Sequence, residues 1–200
     1  ESQLNERALA EQVAGRGFLG SYIQYTRTLT AAPLQYHLAT GLGILAGATG
    51  SRVGFVGGGG TEHWPNLYLC ILGPTGYHKT TAIRIGGRLL ERAAPGTIAP
   101  NEFSREQLLS NLQRRPNAIM QVDEFSTLLS QMERSYQAGL KESLTDLYDP
   151  HQQYVRTLRG QHGAGEEIRI IRPSLTILAR STIDWLVEHL TEVDFRSGFI

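Results

Sequence analysis

The chain has 200 residues, enough for one large domain, and 40% of them are hydrophobic, which suffices to bury a core. Lysine plus arginine and aspartate plus glutamate number 19 each, so the formal net charge is zero. This balance excludes a global basic field, and any nucleic-acid binding must use a local patch or an adjacent domain. The single cysteine, Cys70, excludes an intramolecular disulfide, and we expect a cytoplasmic protein.

The first fifty residues favour helices. Apolar residues at helical spacing predict helices over residues 3–14 and 18–29. Pro33 occupies a position that the first turn of a helix tolerates, and the small, apolar residues 34–48 predict a buried helix. This run is shorter than the roughly 20 residues that cross a bilayer, so we expect no membrane association.

A short strand is predicted over residues 51–56, and the four glycines at 57–60 predict a hairpin turn or a linker. No lysine and no helix follow these glycines, which argues against a phosphate site there. Residues 67–72 (LYLCIL) form a nearly continuous apolar run. Such a run is typical of a strand covered on both sides in a mainly parallel sheet.

Directly after this strand comes GPTGYHKTT, followed by a predicted helix over residues 82–92. A glycine-bearing turn at a helix N-terminus presents backbone amides to a polyphosphate. In the pattern G-x-x-x-x-G-K-[ST], the lysine reaches the β and γ phosphates and the hydroxyl coordinates magnesium, roles that fit Lys79 and Thr80. His78 replaces the second glycine of the pattern. The predicted ATP-binding loop consists of Gly73, Pro74, Thr75, Gly76, Tyr77, His78, Lys79, Thr80 and Thr81.

A second apolar strand is predicted over residues 118–122, and it ends at Asp123 and Glu124. Before this strand, Ser104 is followed three residues later by Gln107. This spacing predicts a capping box at the start of a helix. A hydrolytic site needs one carboxylate to position magnesium and one base to orient the attacking water. We predict these roles for Asp123 and Glu124, with Thr80 as the second metal ligand.

The remaining elements follow from the same periodicities. We predict helices over residues 125–132, 140–148 and 183–190, a hairpin of strands 154–158 and 167–171 around a glycine-rich turn at 160–165, and a third buried strand over 174–179.

Polar residues also follow the third strand. Ser181 and Thr182 are the two candidates, and we predict that Thr182 senses the γ phosphate. The alternative is that such a residue caps the helix that follows. Arg180 and Arg196 are candidate phosphate-contacting arginines.

A basic strip with Tyr154 interleaved is the candidate contact to single-stranded DNA, because alternation on a hairpin places several residues on one face. A solvated hairpin explains the pattern equally well. The arginines of the strip are Arg114, Arg115, Arg156, Arg159, Arg169 and Arg172.

The segments PNLYLCILGPTGYHKTT, QVDEFSTLL, IRPSLTILARST and VDFRSGFI together resemble a family of P-loop proteins known as a domain of unknown function. Members of that family are similar to the helicase parts of primase-helicase replication proteins of phages, plasmids and integrated elements. In such proteins a closing SGF segment leads toward an arginine, which here would lie beyond residue 200. We therefore expect a segment of a longer protein.

The resemblance implies an α/β fold with a RecA-like ATPase core, of the class with an additional catalytic glutamate. It also implies a helical N-terminal subdomain, which we place at residues 1–50, before a core at 51–200. Lys79, Thr80, Asp123 and Glu124 carry over from the family pattern. We expect a homo-oligomeric ATPase motor with ATP and Mg²⁺, acting on DNA; a slowly hydrolysing switch or scaffold and a small-molecule kinase are the alternatives.

Overall fold

A computed structural model describes residues 17–100, 104–132, 139–158 and 166–190, together with residues 12 and 192. The described part of the chain is mixed α/β, with a three-stranded parallel sheet, two antiparallel hairpins and seven helices. The helices are α1 (Gly17–Arg27), α2 (Leu34–Thr49), α3 (Lys79–Ala93), α4 (Arg105–Arg114), α5 (Phe125–Met132), α6 (Leu140–Tyr148) and α7 (Ile183–His189). The strands are β1 (Phe55–Val56), β2 (Glu62–His63), β3 (Tyr68–Leu72), β4 (Asn117–Val122), β5 (Gln153–Leu158), β6 (Glu166–Ile171) and β7 (Ser174–Ser181). None of the described helices combines the length and apolarity needed to cross a membrane.

The three parallel strands lie in the order β3–β7–β4, so the last strand along the chain is the central one. Strand β7 pairs with all of β4 and with all of β3, ending with Leu72 opposite Ser181. A parallel bridge between Ile98 and Ile119 adds one further position beyond β4. Because parallel strands end at the same edge, the residues that follow β3, β4 and β7 meet there.

Alternate residues of the central strand face two separate hydrophobic clusters. In β7, Leu175, Ile177 and Ala179 belong to one cluster, and Leu178 belongs to the other. The first cluster also contains buried residues of α4, α5, α6 and the β5–β6 hairpin, and the second contains residues of α1, α2 and α3. The sheet therefore lies between two layers, which explains why β7 is buried at nearly every position.

Helix α2 packs on all three parallel strands and on α3. The approach of α2 to α3 is close: a Cβ atom at Gly86 would lie 2.4 Å from the Thr40 methyl group. The second hydrophobic cluster joins α1 and α2 to the sheet without interruption. The proposed division of the chain at residue 50 stays a prediction.

Most described elements lie within a few residues of their predicted bounds. Helices α5 and α6 have the predicted bounds, and the β5–β6 hairpin is antiparallel as predicted. The capping box is confirmed, since the Ser104 amide donates to Gln107 Oε1 at 2.9 Å and the Gln107 amide donates to Ser104 Oγ at 3.3 Å. The four-glycine run lies in the turn of the β1–β2 hairpin, one of its two predicted places.

Two strand predictions were wrong in detail. The strand predicted over residues 51–56 is reduced to Phe55–Val56, because Gly50–Arg52 form a 3-10 turn. Strand β3 lies at the edge of the described sheet with Cys70 and Leu72 exposed, whereas its apolar run predicted cover on both sides. An apolar run indicates a strand, but the order of strands in the sheet depends on long-range pairing. Outside the described residues lie most of the predicted helix over residues 3–14, the turn over 160–165, Arg159, Arg196 and the SGF segment.

Candidate functional site

The loop over residues 73–78 joins the end of β3 to the start of α3. The Gly73 amide donates to the Ser181 carbonyl oxygen at 3.3 Å, which ties this loop to the end of β7. The Tyr36 hydroxyl, from α2, donates to the Leu72 carbonyl oxygen at 3.2 Å. A Cβ atom at position 73 would lie 1.8 Å from that hydroxyl oxygen, so glycine alone fits where the loop begins.

The loop and the first turn of α3 present a row of backbone donors. The helix begins at Lys79, earlier than the predicted start at residue 82. Within the described part of the chain, the amides of residues 75–81 have no hydrogen-bond acceptor. A helix N-terminus leaves its first amides without intrahelical partners and carries the positive end of the helix dipole. This segment can therefore bind an anion through several amides at once.

His78 lies immediately before α3 in the left-handed conformation, with φ of 59° and ψ of 22°. This is the position at which the phosphate-loop pattern has glycine, the residue that adopts positive φ without steric cost. Among other residues, histidine is one of those found there more often. The backbone at His78 thus makes the turn that a glycine would make. Histidine in place of glycine raises the conformational energy of the loop but does not change its path.

The strain at residue 78 can be measured with two variants that both lack the imidazole. We expect His78→Gly to be more stable than His78→Ala by about 1 kcal/mol, because only alanine keeps the steric cost of positive φ. Urea unfolding of the two variants checks this difference. Equal free energies of unfolding would mean that residue 78 is not strained.

Lys79 is only 7% exposed. Its ammonium group donates to the carbonyl oxygens of Gly73 and, at 2.9 Å, of Pro74. Burial lowers the pKa of Lys79, the nearby Arg180 lowers it further, and the Glu124 carboxylate partly offsets both. A buried cation with a carboxylate nearby therefore lies at the edge where the three parallel strands end.

Two buried hydroxyl groups hold the Glu124 carboxylate. Its Oε1 atom accepts hydrogen bonds from Ser126 Oγ at 3.0 Å and from Ser181 Oγ, and the two hydroxyl oxygens lie 2.9 Å apart. Each hydroxyl carries one proton, so two protons serve these three contacts. The other carboxylate oxygen, Oε2, accepts no hydrogen bond from a described residue. One oxygen is thus anchored and the other is free to accept a proton.

Asp123 is held differently. Its side chain is 66% exposed, and Oδ1 lies 3.2 Å from Nη2 of Arg180, whose side chain is 20% exposed. Arg180, a candidate phosphate contact, is thus paired with Asp123 in the structure. No hydrogen bond joins Asp123 to Thr80, the predicted second metal ligand, and neither residue lines the cavity beside Glu124.

A cavity of about 650 Å³ lies between the loop, Glu124 and α7. This volume lies in the range of small-molecule sites. The cavity is lined by Gly73, Pro74, Thr75, Glu124, Thr182, Ile183, Asp184 and Trp185. The structure therefore brings the start of the loop, the predicted base and the predicted sensor to one open cavity.

Thr182 also caps α7, because its Oγ1 accepts from the Trp185 amide at 3.4 Å. The residue that reaches Glu124 is the preceding one, Ser181, which is fully buried. The capping alternative is thus observed. A contact between Thr182 and a phosphate stays a prediction.

Sequence reasoning missed Ser126, and it named Ser181 beside Thr182 without predicting its contact with Glu124. Ser126 lies two residues after Glu124 in the first turn of α5, a spacing at which a hydroxyl can reach the carboxylate. Ser181 reaches Glu124 through the strand order, which places the end of β7 beside the end of β4. The spacing of Ser126 from Glu124 can be seen in the sequence, whereas the contact of Ser181 with Glu124 depends on the strand order of the sheet.

The sequence matches no protein-family model, and no curated protein matches it significantly. The functional assignment therefore depends on the geometry of this site and on the resemblance of its motifs.

Proposed function

We propose that this chain is an ATP-binding and ATP-hydrolysing P-loop domain with a RecA-like core, which acts as a DNA helicase or translocase in the replication of a mobile element. The observation that carries the proposal is the cavity shared by the loop and Glu124. Nucleotide hydrolysis requires a phosphate-binding segment and a base that orients the attacking water, and both border this cavity.

The phosphate end of ATP fits the donors of the loop. Amides of residues 75–81 without acceptors would bind phosphate oxygens, and the positive end of α3 favours their charge. Lys79 would exchange the carbonyl oxygens of its own loop for the β and γ phosphates. Burial lowers the pKa of Lys79 and disfavours its charge, so an anionic ligand beside it would be stabilising.

Glu124 is suited to orient and deprotonate the attacking water. Its anchored Oε1 fixes the carboxylate, and its Oε2 is free to accept a proton from a water molecule in the cavity. Ser126 and Ser181 act as positioning residues, because both contact the carboxylate and neither lines the cavity.

Magnesium, when bound with ATP, neutralises charge on the phosphates. The hydroxyl of Thr80 and the carboxylate of Asp123 are the oxygen ligands that this ion prefers. Asp123 would hold the ion only after exchanging its contact with Arg180, since the two are 3.2 Å apart. The donor set fits the ion.

The RecA-like assignment is supported by the resemblance of the four motif segments and by the position of β7, whereas a homo-oligomeric state is supported by the resemblance alone. This strand lies between the strand of the loop and the strand of the two carboxylates. Phosphate release from ATP by the full-length protein, measured with and without single-stranded DNA, tests the proposed motor. We expect turnover that DNA stimulates, and no turnover in either condition would contradict the proposal.

A nucleotide-dependent switch or assembly scaffold with slow hydrolysis is the second candidate. The ion pair between Asp123 and Arg180 favours it, because this contact opposes assembly of the metal site. The strained His78 before α3 is a further departure from the usual loop. Tight ATP binding with negligible turnover, unaffected by Glu124→Gln, would select the switch over the motor.

The two neighbouring residues at the end of β7 should behave differently on substitution. We expect Ser181→Ala to lower kcat for ATP hydrolysis about tenfold, because Glu124 loses one of its two anchors. We expect Thr182→Ala chiefly to lower the free energy of unfolding by about 1 kcal/mol, because α7 loses its cap. Steady-state kinetics and urea unfolding of both variants check this, and a larger kcat loss in Thr182→Ala would return the sensing role to Thr182.

A further inference from the structure

Helix α3 carries a row of arginines that its role in the loop does not use. Arg84, Arg88 and Arg92 recur at every fourth position, so they project from one face in steps of about 6 Å along the helix axis. All three are exposed. Among the described residues, no side chain or backbone group forms an ion pair or a hydrogen bond with the guanidinium groups of these three arginines.

Arg156, Arg169 and Arg172 belong to the basic strip that the sequence analysis named as a candidate DNA contact. In contrast to the α3 arginines, they are paired with carboxylates at 2.7 to 3.3 Å. The pairs are Arg156 with Glu142 and Asp146, Arg169 with Glu167, and Arg172 with Glu62. Paired arginines attract a polyanion less, because their charge is already compensated. In a chain of zero net charge, α3 therefore presents three exposed arginines in one row without a carboxylate partner among the described residues, whereas Arg156, Arg169 and Arg172 have such partners.

A groove of about 480 Å³ runs beside this row, between α3 and the end of β4. At its wall, the Gln121 Nε2 amide is buried without a hydrogen-bond partner. A Cβ atom at Gly87 would lie 2.7 Å from this nitrogen, so the glycine lets the amide approach the helix. The carboxylate that lines the groove, Glu91, accepts from the Gly96 amide at 3.0 Å. The groove thus combines the Arg84 and Arg88 side chains with a mostly apolar lining and one carboxylate that already accepts a hydrogen bond.

We propose that the exposed face of α3 binds the phosphate backbone of a single-stranded nucleic acid, with phosphates on Arg84, Arg88 and Arg92. A straight row of cations suits a linear polyanion, and backbone contacts of this kind need no base sequence. The row is one helix wide, which suits one strand, and the partly buried Ile98 offers an apolar wall to a sugar or base. The choice of DNA rests on the proposed motor function, but the contact itself does not require ATP.

Fluorescence anisotropy of a labelled oligothymidylate, titrated with the full-length protein at several salt concentrations, tests this surface. We compare Arg84→Gln/Arg88→Gln with Arg156→Gln/Arg169→Gln, which removes the same charge from the hairpin. The α3 variant should bind at least tenfold more weakly and lower the slope of log K against log salt by about 1.4, since each lost contact to a single strand contributes about 0.7. The hairpin variant should retain most of the affinity.

Several outcomes would overturn this inference: no oligothymidylate binding by the unaltered protein, equal losses in the two variants, or tighter binding to a duplex of the same length. A change of oligomeric state in the α3 variant, seen by sedimentation, would instead assign the arginines to contact with a second copy and would also overturn it. Thermal unfolding confirms that both variants fold. Oligothymidylate binding that depends on Arg84 and Arg88 in a protein that binds no ATP would contradict the proposed ATPase and leave this surface standing.

Discussion

Replacing Glu124 with glutamine is expected to lower kcat for ATP hydrolysis by about 100-fold or more, while ATP affinity stays close to that of the unaltered protein. Glutamine keeps the shape of the side chain and can still accept from Ser126 and Ser181, but it cannot take a proton from water. General-base catalysis contributes about 10²- to 10⁴-fold, so the loss should fall in kcat rather than in binding. Phosphate release under saturating ATP, with ATP binding measured separately, checks both parts.

The matched control for this substitution is Glu142→Gln, which makes the same chemical change at an exposed carboxylate of α6. Its kcat should stay near that of the unaltered protein. If Glu124→Gln and Glu142→Gln had equal turnover, Glu124 would not be the base, and the anchoring by two hydroxyls would be a structural contact only.

The second large effect is expected at Lys79. Charge-assisted hydrogen bonds are worth about 1.5 to 3 kcal/mol, so Lys79→Met should weaken ATP binding by roughly 10- to 100-fold and remove turnover. Methionine has a similar length and suits a buried position. The variant loses the ammonium contacts to the Gly73 and Pro74 carbonyl oxygens, but it also removes a charge that burial disfavours, so the two effects on stability oppose each other.

Lys141→Met is the matched control, since it removes the same charge from α6. Titration with a fluorescent ATP analogue measures affinity in both variants, and urea unfolding measures their stability. Equal ATP affinity in Lys79→Met and Lys141→Met would contradict phosphate binding by the loop. A large loss of stability in Lys79→Met would show instead that the ammonium contacts to Gly73 and Pro74 hold the fold.

Local sequence patterns were sufficient to predict most of the elements. Helices α5 and α6 have strong apolar periodicity, and the Ser104 capping box needs only residues three positions apart. Strand β7 was predicted from the apolar run within residues 174–179, and the structure shows it buried. These features depend on neighbours in sequence, which is why they could be predicted without the structure.

Features that depend on strand order could not be predicted in the same way. The exposure of Cys70 at the sheet edge and the contact of Ser181 with Glu124 both follow from the order β3–β7–β4. The pairing of Asp123 with Arg180 has the same origin, because β4 and β7 are adjacent. The sequence also could not show which arginines are paired with carboxylates, as those of the hairpin are, and which are unpaired among the described residues, as those of α3 are.

A structure of the protein with a nonhydrolysable ATP analogue and magnesium tests the central claim most directly. The account predicts phosphate oxygens within hydrogen-bonding distance of the amides of residues 75–81 and of Lys79 Nζ. It also predicts Asp123 turned from Arg180 toward the metal, and Glu124 beside the γ phosphate. An analogue bound away from this loop, or no binding at saturating concentration, would contradict the assignment of the site.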